Sequence, residues 1–236
     1  MPADPAGQSS ARLRYHPGTM ASRPKHAEPR PQPRLYLVTP AIEDAAAFAG
    51  TLEAALGAGD VAALLLRLAP GDERSLINRI KELAPVIQRR DVALLLDGHA
   101  DLVARGGAEG AHLTGTDAFT EALAVLQPAN RIAGCGGLDT RHDAMLAAEQ
   151  GADYVMFGEP DAHGDRPAFD LIAERVAWWA EVFEAPCVAF AGGLQDVAPL
   201  VAAGADFIAL GDWVWRDPAA NVAAAMRDLH LPERAA

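Results

Sequence analysis

The chain has 236 residues, half of them hydrophobic and 22% charged, which is enough to bury a core of single-domain size and excludes whole-chain disorder. No apolar run reaches the ~18 residues of a membrane span and the start lacks a secretory apolar block, so the expected location is the cytoplasm, with no membrane partner. The net charge of −12 divides into +4 over residues 1–34 and −16 over the remainder, an acidic body that repels polyphosphate backbones and argues against nucleic acid as a partner.

Residues 1–34 hold seven prolines, and Pro29, Pro31 and Pro33 forbid both helix and central strand, so this segment is expected to be a disordered tail. Met20 is a second candidate for the true start. From Leu35 onward, short aliphatic runs alternate with alanine-rich stretches of helical period. The runs are 35–39, 62–68, 92–97, 110–114, 131–136, 154–158, 187–191 and 207–211. Helical stretches between them include 41–56, 72–90, 140–150, 169–183 and 196–203. The runs are apolar throughout without alternation, as a parallel sheet covered on both faces requires. Cys135 and Cys187 each sit inside such a run and read as buried small thiols. The adjacent Trp178 and Trp179 cannot both face one core from a helix, which makes one of them a candidate for a subunit contact in a homo-oligomer.

The fragment Gly-Ala-Asp-Tyr-Val-Met-Phe-Gly at 151–158 recurs as Gly-Ala-Asp-Phe-Ile-Ala-Leu-Gly at 204–211, with a weaker copy at 110–115. In each the glycine is expected to end a helix in the left-handed conformation just before a strand. Eight such units predict a single (β/α)8 TIM barrel over residues 35–230, flanked by the tail 1–34 and a short C-terminal tail 231–236. The rival is an open doubly wound sheet, which needs a glycine-rich loop after its first strand that Val38-Thr39-Pro40-Ala41 does not supply.

A barrel of this kind builds its site at the C-terminal strand ends, which points to Thr39, Arg67, Asp97–His99, Thr114–Asp117, Gly136–Asp139, Glu159–Arg166, Gly192–Gly193 and Gly211–Asp212. Arg67 is the single charge in an apolar run, and its guanidinium suits either a phosphate or an ion pair with a carboxylate such as Asp97. With two lysines against 18 arginines, an anionic ligand must be held mainly by arginines and backbone amides. Gly192 and Gly193, with Gly211, fit a phosphate cradle or a turn needed only for backbone geometry, and Asp212 would repel phosphate unless it points away. Asp97 and Asp117 offer hard oxygen ligands for Mg²⁺, whereas Asp101 reads as a helix-capping residue. His99 lies beside them; His112, inside a strand, reads as a satisfied core histidine; His163 shares a glycine-containing loop with Asp161, Asp165 and Arg166 from which a ligand could be reached.

The order of these motifs resembles the thiamine-phosphate synthase family, which includes the thiazole tautomerases. The similar elements are Leu35–Thr39, Leu96-Asp97-Gly98-His99-Ala100-Asp101-Leu102, Gly110–Asp117, Gly151–Pro160 and Gly192-Gly193-Leu194. The resemblance implies a TIM barrel joining an aminopyrimidine diphosphate to a thiazole phosphate, with diphosphate released through a cation-like pyrimidine state and stabilised by Mg²⁺ and basic residues. It implies an anion contact for Arg67, a magnesium contact for Asp117 and a thiazole-phosphate loop at Gly192 and Gly193. Leu65 and Ala69 stand where the family has glutamine and lysine after the second strand. Asp97 stands in the place of an asparagine, Gly98 in that of a magnesium aspartate and Gly136 in that of a serine. The family's lysine-bearing loop after the sixth strand is replaced by 160–166, where Arg166 is the substitute cation. Three activities follow from these matches and departures: a divergent synthase, a tautomerase-like enzyme using His99 or His163, and a barrel that binds a small phosphorylated ligand with weakened catalysis.

Overall fold

The computed structural model describes residues 31–230; the expectations for residues 1–30, for Met20 as a start and for the tail 231–236 lie outside the described residues. Eight parallel strands follow one another around a closed barrel: β1 (Arg34–Val38), β2 (Val61–Leu66), β3 (Ala93–Asp97), β4 (Gly110–Thr114), β5 (Ile132–Gly136), β6 (Tyr154–Phe157), β7 (Cys187–Ala191) and β8 (Phe207–Leu210). β1 pairs with β2 on one side and β8 on the other, which closes the sheet and excludes the open doubly wound alternative. Arg34, assigned to the tail by composition, opens β1, because its guanidinium is held by Asp60 at 2.7 Å.

The outer layer comprises α1 (Ala45–Gly57), α2 (Glu73–Gln88), α3 (Val103–Gly106), α4 (Thr116–Leu126), α5 (Arg141–Glu149), α6 (Phe169–Val182), α7 (Val197–Ala202) and α8 (Pro218–Leu229). Helix starts follow the capping side chains. Asp44 accepts from the Ala47 amide, which delays α1 beyond the expected residue 41, and Asp72 accepts from Ser75 at the head of α2. Thr140 and Asp143 form a reciprocal capping box on α5.

The strands are apolar on both faces because they separate two cores. The larger lies between strands and helices; the smaller fills the barrel with Tyr36, Val38, Leu65, Leu95, Tyr154, Met156, Val188, Phe190 and Ala209. It is packed down to a hollow of about 10 Å³ lined by Tyr36, Tyr154 and Phe207 among others, no larger than one water needs. Side chains alternate along each strand, so the inward rows lead upward from Leu65 to Arg67, from Leu95 to Asp97, from Phe190 to Gly192 and from Ala209 to Gly211.

The repeated fragment proves to have a different phase in its weak copy. Gly151 and Gly204 end their helices at φ 98° and 99°, but the equivalent of these residues is Gly107 at φ 78°, not Gly110, which lies within β4. The repeat is therefore Gly107-Ala108-Glu109, Gly151-Ala152-Asp153 and Gly204-Ala205-Asp206. The acidic residue in each stands just before an even-numbered strand and accepts an amide from the preceding odd strand. Glu109 takes Leu94, Asp153 takes Ala133 and Asp206 takes Cys187, at 2.8, 2.8 and 2.9 Å. Asp60, before β2, fills the same place by binding Arg34 of β1.

The tryptophans also find roles within the fold. Trp179 is fully buried and donates to the Ala185 carbonyl, while Trp178 is covered by Arg141, whose guanidinium lies 4.8 Å from the ring centre. Trp213 and Trp215 donate to the carbonyls of Ala191 and Val38, fastening the segment after β8 to the ends of β7 and β1.

Candidate active site at the barrel mouth

The floor of the mouth is an alternation of charges on neighbouring strands. Arg67 Nε lies 3.4 Å from Asp97 Oδ2 and its Nη1 lies 4.0 Å from Asp212 Oδ1. The ion pair anticipated for Arg67 is thus formed, while the guanidinium stays 42% exposed and open to an anion. Thr39, fully buried, is not at the ligand surface: its Oγ1 accepts the Arg67 amide at 2.9 Å and so fixes the backbone from which Arg67 projects. Asp212 is 80% exposed and aims at Arg67 rather than at the Gly211 backbone. Burial raises the pKa of Asp97, and the neighbouring His112 and Arg67 charges only partly oppose it.

His112 is register partner of Asp97 and is fully enclosed. Both ring nitrogens are engaged: Nδ1 lies 3.1 Å from the Tyr154 hydroxyl and Nε2 3.0 Å from Glu159 Oε2, and the Tyr154 hydroxyl in turn meets Tyr36 at 2.8 Å. Burial alone would lower the imidazole pKa, yet the Glu159 charge and hydrogen bond and the Asp97 charge hold it above its ordinary value. The satisfied core histidine expected from sequence is thus found, with a carboxylate as one of its two partners. Two glycines make the arrangement possible. A Cβ on Gly134 would lie 2.0 Å from the Tyr154 ring, and one on Gly136 would lie 2.1 Å from Glu159 Oε1. Gly136 thus houses the Glu159 carboxylate.

On the opposite side, Arg166 bridges two strand ends. Its Nε donates to the Gly158 carbonyl and its Nη2 to the Phe190 carbonyl, both at 2.7 Å, and the guanidinium lies 5.0 Å from the Phe190 ring centre. Burial lowers its pKa, against the nearby Asp196 charge. The remaining nitrogen, Nη1, sits over Gly192, 1.8 Å from where a Cβ would be. Gly211 likewise leaves room for the Phe190 ring, 2.3 Å from its missing Cβ. The Gly192 amide, read from sequence as bare, is taken by Asp196 Oδ2 at 2.7 Å, so a phosphate at this loop must displace a carboxylate.

His99 is half-buried at the head of a 3₁₀ turn beside Asp97, and His163 is exposed in a turn whose amides are held by Asp161. Asp117 is exposed in the first turn of α4. Among the described residues no three His, Cys, Asp or Glu side chains converge on one point. Asp97 and Asp117 are nevertheless two hard-oxygen donors at the ends of successive strands. That fits a Mg²⁺ ion that takes one or two carboxylates and completes its shell with phosphate oxygens. Gly98, in the place of a further aspartate, has φ 71° and open space around its missing Cβ. Sequence reasoning placed Glu159 among the strand-end residues without giving it a role, and missed Tyr154, Tyr36 and Asp196 as members of this site. The signal for Glu159 was a carboxylate just after the apolar run of β6.

Residues 35–213 match the family model described as thiamine monophosphate synthase. The chain is 44% identical over 193 residues to the thiamine-phosphate synthase of Rhodospirillum centenum, covering 81% of this chain and 93% of that protein. It is 39% identical over 211 residues to that of Hyphomonas neptunium, covering 84% and 94%. Among solved structures, the thiamine phosphate pyrophosphorylase of Pyrococcus furiosus superposes with a TM-score of 0.70 at 20% identity, over 84% of this chain and 96% of that one. A 3-hexulose-6-phosphate synthase superposes at 0.62 and 16% identity, over 82% and 99%, a likeness of fold.

Proposed function

The chain belongs to the thiamine monophosphate synthase family, and from that premise we propose how its barrel mouth carries out the reaction. The protein is a transferase of thiamine biosynthesis that joins a hydroxymethylpyrimidine diphosphate to a thiazole phosphate. The thiazole nitrogen attacks the pyrimidine methylene carbon, and the carbon–oxygen bond to diphosphate breaks, with the electron pair leaving on the diphosphate oxygen.

Arg67 holds the departing diphosphate. Its guanidinium is pre-aimed by Asp97, Asp212 and the Thr39 buttress, and an anion arriving at its exposed edge exchanges one weak, solvent-screened carboxylate contact for a charge-assisted bond. Arg166 and the Gly192–Gly193 loop take the thiazole phosphate, which displaces the Asp196 carboxylate from the Gly192 amide. The observation that carries this assignment is the Nη1 of Arg166 held over Gly192 by two carbonyl bonds, which puts a cation where the family's lysine-bearing loop is missing. Gly136 and Gly211 make room at the floor for the Glu159 carboxylate and the Phe190 ring, and Asp212 keeps Arg67 in place until the anion arrives. Asp97 and Asp117 would hold Mg²⁺, which when bound neutralises charge building up on the leaving diphosphate. His99 and His163 stand at the rim within the same mouth and are placed to move a proton at the periphery.

The identities to named synthases favour this reading over the tautomerase-like and binding-only alternatives. A cytoplasmic location completes it, in keeping with two buried thiols without a disulfide; among the described residues no helix is long and apolar enough to cross a membrane. The test is incubation of the purified protein with both substrates and Mg²⁺, following thiamine phosphate and pyrophosphate in equal amounts. Absence of both products, with both substrates bound, refutes the synthase reading.

A further inference from the structure

Two carboxylates stand on the floor of the mouth, and they differ in what they have left to offer. Asp97 is turned to Arg67. Glu159 gives Oε2 to His112, while its Oε1 is buried against Gly136 with no hydrogen-bond partner. A buried carboxylate oxygen without a donor is costly, and native sites that keep one hold it for a purpose. The side chain as a whole is 14% exposed while Oε1 itself is buried over Gly136, so a substrate reaches that oxygen only if the carboxylate turns toward the mouth, and Gly136 has no side chain to pin it down. Behind it, the imidazole holds Oε2 alone and is itself held through the Tyr154 and Tyr36 hydroxyls, which leaves Oε1 free to turn about that bond.

We propose that Glu159 reads the exocyclic amine of the pyrimidine substrate, lifting from Gly136 to accept an N–H hydrogen bond with its unpartnered oxygen. The inference rests on the synthase reading and adds a specificity residue to it. As the bond to diphosphate breaks, positive charge spreads from the methylene carbon onto the amine, whose N–H groups become stronger donors. A carboxylate acceptor therefore binds the transition state more tightly than the ground state. No proton or covalent bond is exchanged with Glu159.

The test is calorimetric titration of wild type, Glu159→Gln and Glu159→Ala with hydroxymethyl-aminopyrimidine diphosphate and with its des-amino analogue. Pyrophosphate alone serves as the check on folding and on the anion site. Wild type should prefer the amino compound by at least about tenfold, the direction expected when a polar group built to pair with a ligand N–H is left unpaired. Glu159→Gln, which keeps an acceptor for His112 but turns an amide N–H toward the amine, should abolish the preference, as should Glu159→Ala, with pyrophosphate affinity unchanged. A preference that survives in either variant overturns the proposal, as does wild type binding both pyrimidines equally or neither. Turnover of wild type with thiazole phosphate is measured beside it. Turnover without preference overturns the role of Glu159 and leaves the synthase reading standing; preference without turnover does the reverse.

Discussion

Substituting alanine at Gly192 places a methyl group where Arg166 now sits. The added Cβ would lie 1.8 Å from Nη1, far inside any tolerable contact, so the guanidinium must leave. Its departure breaks the bonds to the Gly158 and Phe190 carbonyls. It also removes the cation from the Phe190 ring, a contact worth ~0.5–1 kcal/mol at a partly exposed site. Each carbonyl that loses its donor costs about 1–3 kcal/mol if no water replaces it. Arg166 is only half-buried, and water reaches part of the vacated space, so the expected loss lies in the lower half of that sum, roughly 2.5–4.5 kcal/mol. For a domain of this size that corresponds to a fall in Tm of about 5–18 °C. The assay is a double-mutant cycle by thermal and urea unfolding of wild type, Gly192→Ala, Arg166→Ala and the double variant. Because the methyl acts through the guanidinium, the double variant should be no less stable than the worse single one. Full additivity, or a Gly192→Ala protein within about 0.5 kcal/mol of wild type, would refute the argument.

Arg67→Ala should weaken pyrophosphate binding by about 1.5–3 kcal/mol in calorimetry. Its unfolding midpoint should move little, since both of its ion pairs are solvent-screened; a large stability loss with unchanged pyrophosphate affinity would make it a structural residue only. The raised pKa of His112 means that the folded protein holds the imidazolium more tightly than the unfolded chain. This contribution is complete below about pH 6.5 and is lost as pH rises through the folded value, with a limiting slope of ~1.4 kcal/mol per pH unit. Urea unfolding across pH 6–9 should show wild type losing stability relative to His112→Gln, and parallel curves would contradict it. Mg²⁺ alone should bind no tighter than about millimolar and should bind cooperatively with pyrophosphate, a coupling that Asp117→Asn abolishes in paired titrations. Equal pyrophosphate affinity with and without Mg²⁺ would remove the metal from the mechanism.

The barrel is legible in the sequence because strands buried on both faces must be apolar runs. β4 and β7 begin and end where those runs do, and the others shift by one or two residues where a cap or charge intervenes, as Asp60 does for Arg34. Arg67 and Asp97 are legible for the same reason, as charges breaking apolar runs at strand ends. The partners of these residues are not. Glu159 owes its position to the missing side chain of Gly136, on the neighbouring strand, and no local pattern announces that a glycine has made room for a carboxylate. The bare amide expected at Gly192 is masked by Asp196, whose placement depends on how a single 3₁₀ turn leaves β7. Gly110 took the place of Gly107 in the repeat because both precede an alanine, and only the backbone angle tells them apart.

The four acidic residues ahead of the even-numbered strands divide the ring into quarters. Each ties its strand to the one before it, β1 with β2, β3 with β4, β5 with β6 and β7 with β8, and among the described residues no such side-chain tie from a residue of this kind spans the intervening seams. Those seams are crossed by α2, α4 and α6. A chain cut within the loop ahead of β5 would leave two pieces each made of two whole quarters, every strand still fastened to its neighbour, and the pieces would need only to recover the backbone ladders and apolar faces of two seams to become a ring again. A cut inside a quarter, between β5 and β6 for instance, would part an acidic residue from the amide it holds and strand both at a raw edge. The barrel is in this sense built from four segments of like design, with its charges at the mouth distributed across them and its seams lying between.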